Sequence, residues 1–128
     1  MFAPRSYLIN GWNDFFQGTL TAAQWADFQS LNWPIGMPES AIRETSETIV
    51  FGEKVTGSPH VYMDFFQAND LLELEESRHG AGARLRNGGS NYTFADGGAR
   101  FVKFGRAFTP INLWAVTDLW RTNSATLP

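Results

Sequence analysis

Any chemistry in this chain would start from the stretch "RHGAGARLRNGGSNYTFADGGARFVKF", residues 78–104. It sets an imidazole, His79, and a carboxylate, Asp96, at the two ends of a glycine-rich run. A general base needs that pair of groups, one to take a proton and one to orient the ring. Glu53 and Asp64 could orient His79 equally well, since linear order does not decide which carboxylate folds beside it. The residue types nevertheless point to structure, with His79 fastening the loop before a hairpin, to Glu53 or to backbone. No nucleophile motif accompanies the pair, because GxSxG is missing and the chain has no cysteine. The glycines fit neither GxxxxGK[ST] nor a strand-to-helix GxGxxG, which removes a phosphate cradle. HExxH is missing too, and the second histidine, His60, follows a proline in a turn. Two histidines without close spacing argue against zinc. Asp64, Asp96 and Asp118 are the oxygen donors from which a calcium site would be built, although their spacing is no EF-hand loop. The residues therefore assign no catalytic group, no cofactor-binding residue and no metal ligand, with calcium kept as the one weak alternative.

The elements that would position these residues fit one domain spanning 1–128, since 128 residues bury one good core and hardly two. Apolar residues make up 43% of the chain, and eleven Phe, five Trp and three Tyr suit a thick sheet core or a binding surface. Residues 5–16, "RSYLINGWNDFF", read as a strand interrupted at Gly11. "TLTAAQWADFQSL" reads as a short helix with Thr21 as N-cap and Trp25 and Phe28 on one core-facing stripe. "NWPIGMPES" is loop, and "SETIVFGEK" (46–54) and "VYMDFF" read as strands. Asn69 should cap a helix over "DLLELEES", with Leu71 and Leu74 inward and Glu73, Glu75 and Glu76 on a solvated face.

"NYTFADGGARFVKF" predicts a hairpin closed by Asp96-Gly97 in a two-residue type I′ turn. That register pairs Tyr92 with Phe101 and puts Tyr92, Phe94 and Phe101 on one face, Val102 and Phe104 on the other. "TPINLWAVTDLWR" reads as a last strand or an irregular tail packing Trp114 and Trp120 on the sheet.

Net charge is −3, but six of the ten basic residues lie between Arg78 and Arg106, beside the single acid Asp96. Such a split suits head-to-tail stacking of copies, with Arg84 and Arg86 at the contact, or simply two solvated faces. Nucleic acid is not expected: phosphate contacts would fall to Arg84, Arg86, Arg100, Lys103 and Arg106, but Phe94 and Phe101 belong in the core and the overall charge is of the wrong sign. Trp12, Trp33, Trp114 and Trp120 sit in or near loops, where exposed rings would stack on a polysaccharide. No run of about 18 apolar residues is present to span a bilayer, and "MFAPRSYLING" shows no leader.

Taken together, "RSYLINGW", "SETIVFGEK", "RHG", "NYTFADGGARFVKF" and "LWAVTDLWR" resemble the bacterial pilin-like proteins often labelled type II secretion pseudopilins. These carry a prepilin-type N-terminus and a C-terminal H-x9-DG signature. Arg78-His79 would open that signature and Asp96-Gly97 close it. Here the spacing is longer by an insertion such as "GARLRNG", and Gly98 stands where the family commonly has a second histidine. The resemblance implies an α+β pilin-like head, with an antiparallel sheet, a C-terminal DG hairpin and one or two short helices. It implies a non-enzymatic subunit in the periplasm or cell envelope, or outside the cell, with other pilin-like subunits as partners. Membrane attachment would come only through an N-terminal helix that this sequence does not contain. The alternative is a free-standing glycan- or surface-binding module using Trp33 and Trp120.

Overall fold

The computed structural model describes residues 6–66, 68–80 and 88–122. Its frame is a mixed α+β arrangement, with a five-stranded sheet and four short helices. In chain order these are β1 (Tyr7–Asn10), α1 (Asn13–Thr19), α2 (Ala22–Gln29), β2 (Ile49–Glu53), β3 (Tyr62–Met63), α3 (Ala68–Glu73), β4 (Gly89–Phe94), β5 (Ala99–Lys103) and α4 (Asp118–Thr122). The sheet order is β3-β1-β2-β4-β5. All pairs are antiparallel except β1 with β3. No helix among the described residues is long and apolar enough to cross a membrane.

One face of the sheet is closed by the chain's own C-terminal third. Residues 105–117 cross it as an irregular segment, and Trp114 is wholly buried against Leu8, Tyr92 and Phe94 in the core cluster. Gly52, in the middle of β2, is what lets the indole so close to the strand. A Cβ at residue 52 would stand 2.8 Å from both the Trp114 ring and Leu74, and 2.9 Å from the Tyr92 ring. Two buried polar side chains fasten the segment. Asp14 Oδ2 accepts from the Val116 and Thr117 N–H groups, both at 2.8 Å, and from the Thr117 hydroxyl at 2.9 Å. The Arg121 guanidinium donates to the Ala115 carbonyl at 2.9 Å and reaches the Glu47 carbonyl at 3.3 Å. The C-terminal end of the segment is thereby tied to α1 and to the turn before β2.

Local sequence explains α2 directly. Thr21 and Gln24 form a capping box, with the Thr21 N–H donating to Gln24 Oε1 at 2.9 Å and the Gln24 N–H to Thr21 Oγ1 at 3.3 Å. Trp25 and Phe28 stack on each other and Phe28 meets Phe16 of α1, so the stripe packs, half-buried, between helices.

Elsewhere the elements differ from expectation. The first strand stops at Asn10, and "NDFFQGT" is helix. The Asn10 side chain accepts from the Trp12 N–H at 2.9 Å, and Trp12 takes a left-handed backbone (φ 56), which turns the chain out of the sheet. The "VYMDFF" strand shrinks to Tyr62–Met63. Helix α3 starts before Asn69 and ends at Glu73, so Asn69 lies inside it and caps nothing. Leu74 instead bridges Lys54, and Glu73, Glu75 and Glu76 are half-buried rather than a solvated face.

The hairpin register is shifted by one residue. Thr93 faces Ala99, Tyr92 faces Arg100 and Asn91 faces Phe101. The loop has three residues, not two, closed by Phe94 N–H to the Gly98 carbonyl (2.8 Å) and Gly97 N–H to the Phe94 carbonyl (2.9 Å). Only Gly97 is left-handed (φ 87), the pattern of a type I turn followed by a glycine bulge rather than of type I′. The Ala95 and Asp96 N–H groups donate away from the hairpin, to the Thr48 and Thr45 carbonyls at 2.9 and 3.1 Å, so the ladder closes at Phe94. A one-residue slip moves side chains to the opposite face. Phe101 is therefore 52% exposed on the outer face, while Val102 packs on the core and Arg100 covers the Phe94 ring at 3.7 Å.

Candidate functional site

Among the residues singled out by sequence, Glu53, Arg78 and His79 are brought together. Glu53 ends β2 and is only 7% exposed. Its Oε1 lies 3.0 Å from His79 Nε2 and 3.7 Å from Arg78 Nε, and Oε2 accepts from the Asn91 N–H at 2.7 Å. A buried carboxylate needs such partners, because an unpaired one would be driven to neutralise or to solvate. Backbone closes the same knot: His79 and Gly89 exchange N–H to carbonyl bonds at 2.9 Å in both directions. The Arg78 N–H donates to Ser90 Oγ at 3.1 Å, and its guanidinium donates to the Lys54 carbonyl. Gly88 permits the approach, since a Cβ there would fall 2.3 Å from the His79 carbonyl oxygen.

Asp96 and Gly97 sit at the far end of β4, six residues long, roughly 20 Å from His79 at the usual strand rise. Asp96 Oδ1 accepts from the Gly98 N–H at 2.9 Å and serves the turn. His79 and Asp96 thus form no catalytic pair. Arg84 and Arg86 lie outside the described residues. Arg100 donates to the Ser46 carbonyl and approaches Glu47 at 3.4 Å. Tyr92, the ring a base-stacking surface would have used, is buried. Burial pushes its phenol pKa well above the ordinary tyrosine value, helped by the nearby charges of Glu76, Glu53 and Glu75.

Sequence reasoning passed over His60. Its Nδ1 lies 2.6 Å from Oδ1 of buried Asp70, whose Oδ2 accepts from the Asp64 N–H at 2.9 Å. A carboxylate that orients an imidazole is two-thirds of a hydrolytic triad. Among the described residues no hydroxyl bonds the His60 ring. Nothing in the linear spacing of a Pro-His turn and a helix start signals the contact. The calcium set is not assembled either. Asp64 is buried near Asp70, Asp96 is in the hairpin loop, and exposed Asp118 lies 3.5 Å from Arg43. Among the described residues no three His, Asp or Glu side chains converge as metal ligands.

Trp114 and Trp120 pack inward, as the irregular-tail reading has it, rather than forming the exposed platform of the glycan-binding alternative. Trp114 is fully buried, and Trp120 packs edge-on against Phe66, with ring centroids 4.5 Å apart. Trp12 and Trp33 are half-buried and line a groove of about 730 Å³ beside α1 and α2. The exposed rings are instead on the uncovered face of the sheet: Tyr7 (54%), Phe51 (39%), Tyr62 (53%) and Phe101 (52%). Tyr7, Ile9, Phe51 and Thr93 line a depression there of about 530 Å³. The register accounts for this, as Ile9 lies between Phe51 and Tyr62, and Phe51 beside Thr93.

These features define an α+β sheet domain with one face closed by its own tail, one face open, and a carboxylate-centred clasp at the end of β2. Set against known proteins, the chain matches no family model, no curated protein and no solved structure.

Proposed function

We propose that this chain is a non-enzymatic structural subunit, the globular head of a pseudopilin-like assembly of the cell envelope, acting through protein–protein contact. The observation that carries the reading is the open sheet face, where four exposed aromatic rings come from four different strands. Monomeric proteins seldom leave apolar area of that kind contiguous unless it meets a partner. The clasp supports the same reading. Its imidazole is engaged with Glu53 and its backbone with Gly89, so Arg78 and His79 hold the start of the hairpin to β2. In this account the Arg-His and Asp-Gly pairs are the two ends of the hairpin, and residues between them can lengthen at little entropic cost.

The test is a photo-reactive amino acid placed at Phe51 or Phe101 in the cell of origin, with Leu72 on α3 as control. Adducts from the two sheet positions to pilin-like envelope proteins are expected. Adducts from Leu72 alone, or none from either sheet position, would reject the reading.

A further inference from the structure

The groove beside α1 and α2 contains a polar group that the rest of the fold does not use. Asn13, the first residue of α1, is 8% exposed and lines the groove. Among the described residues its carboxamide has no hydrogen-bond partner. Asn10, three residues earlier, shows the ordinary behaviour of a buried amide. Its Nδ2 donates to the Ile49 and Trp114 carbonyls at 2.8 and 2.7 Å, and its Oδ1 accepts from Trp12. The Asn13 amide instead meets solvent through the groove, where a ligand's hydroxyls could take the place of water. Gly11 provides the space for it, since a Cβ there would stand 2.3 Å from Asn13 Oδ1 and 2.9 Å from the Met63 carbonyl oxygen.

The walls around this amide are rings: Trp12, Phe16, Phe28, Trp33 and Tyr62. Trp12 (φ 56) and Leu31 (φ 62) are the two non-glycine residues with left-handed backbone among those described, and both line the groove. Backbone of that kind concentrates at ligand clamps. The charged groups on the lining are Asp64 and Asp70, with no lysine, arginine or histidine among them. Phosphate, uronate and other anions would meet only like charge.

We propose that this groove binds a neutral carbohydrate. A pyranose has an apolar C–H face and a rim of hydroxyls. Aromatic rings complement the first, and a carboxamide, donor and acceptor at once, complements the second. The volume is in the usual range for small-ligand sites. Five rings around one amide offer stacking faces to a sugar, and the edge strand β3 beside them makes a peptide the competitor that the test must exclude. The site goes beyond the assembly reading and does not depend on it.

The test is an NMR titration of the full ¹⁵N-labelled chain. The probes are neutral tetrasaccharides (cello-, chito-, xylo- and malto-), an oligogalacturonate, and an uncharged apolar peptide. Saturable shifts of the Asn13 side-chain NH₂ and the Trp33 indole N–H are expected with at least one neutral tetramer and not with the galacturonate. Asn13→Ala should weaken that binding roughly three- to tenfold, the worth of one hydrogen bond, while melting no lower than the parent, because its side chain has no partner to lose. Trp33→Ala on the rim should weaken it as well, and serves alone if Asn13→Ala fails to fold. The proposal is overturned if no neutral tetramer moves these resonances at millimolar concentration, if both variants bind like the parent, or if only the peptide saturates the groove.

Discussion

Replacing Glu53 by alanine should be among the most damaging single changes outside the apolar core. The carboxylate receives the Asn91 N–H at 2.7 Å, His79 at 3.0 Å and Arg78 at 3.7 Å. The His79 side chain is 47% exposed and that of Arg78 35%, so each ion pair is screened by solvent and contributes about 0–1 kcal/mol. The larger loss is the charge-assisted bond from the Asn91 N–H, a partly buried donor left without its acceptor, at about 1.5–3 kcal/mol. Together these predict a destabilisation of roughly 3 kcal/mol. Glu53→Gln, which retains one acceptor and the shape, should lose about half as much. Urea unfolding followed by tryptophan fluorescence and by circular dichroism would measure both. A double-mutant cycle with His79→Ala should give a coupling of no more than about 1 kcal/mol, since the backbone bond dominates. If Glu53→Ala unfolds within about 0.5 kcal/mol of the parent, the ordinary range for inert surface changes, the clasp is not what holds the hairpin.

Three further outcomes follow from the packing. Gly52→Ala forces a Cβ into the Trp114, Leu74 and Tyr92 side chains and should cost about 1–3 kcal/mol, seen as a lower urea midpoint; an unchanged midpoint would mean the indole does not lie on β2. Trp114→Ala, which empties the largest buried side chain, should cost about 3–5 kcal/mol in the same assay. The raised pKa of Tyr92 favours its neutral phenol in the fold, so that contribution is intact below about pH 10, the unfolded value, and fades as pH rises beyond it. Stability measured from pH 8 to 11 should therefore fall more steeply in the parent than in Tyr92→Phe, and parallel curves would contradict the burial of the phenol.

Much of the frame was legible because it rests on local rules. The α2 capping box, the β-branched run of β2 and the glycine-rich hairpin each announce themselves within a few residues, and Glu53 does fold against His79. What local reading missed was decided at long range. Asp96-Gly97 favours a two-residue turn by itself, but the Thr45 and Thr48 carbonyls take two loop N–H groups and shift the register, which turns Phe101 outward. The tail segment reads as packing Trp114 on the sheet, but the residue that accommodates it, Gly52, carries no side chain to signal the contact. His60 and Asp70, and the tie of Asp14 to residues 116 and 117, join segments whose separation has no pattern in the sequence.

The central claim is that the open sheet face, rather than the clasp, meets the partner. It is tested most directly by the double variant Phe51→Asp/Phe101→Asp, expressed in the cell of origin and followed by envelope fractionation and chemical cross-linking. Both side chains are exposed, so the variant should melt within a few degrees of the parent. The account predicts that it nevertheless loses its cross-links to pilin-like envelope proteins. A double variant that folds and still forms those cross-links would contradict the account.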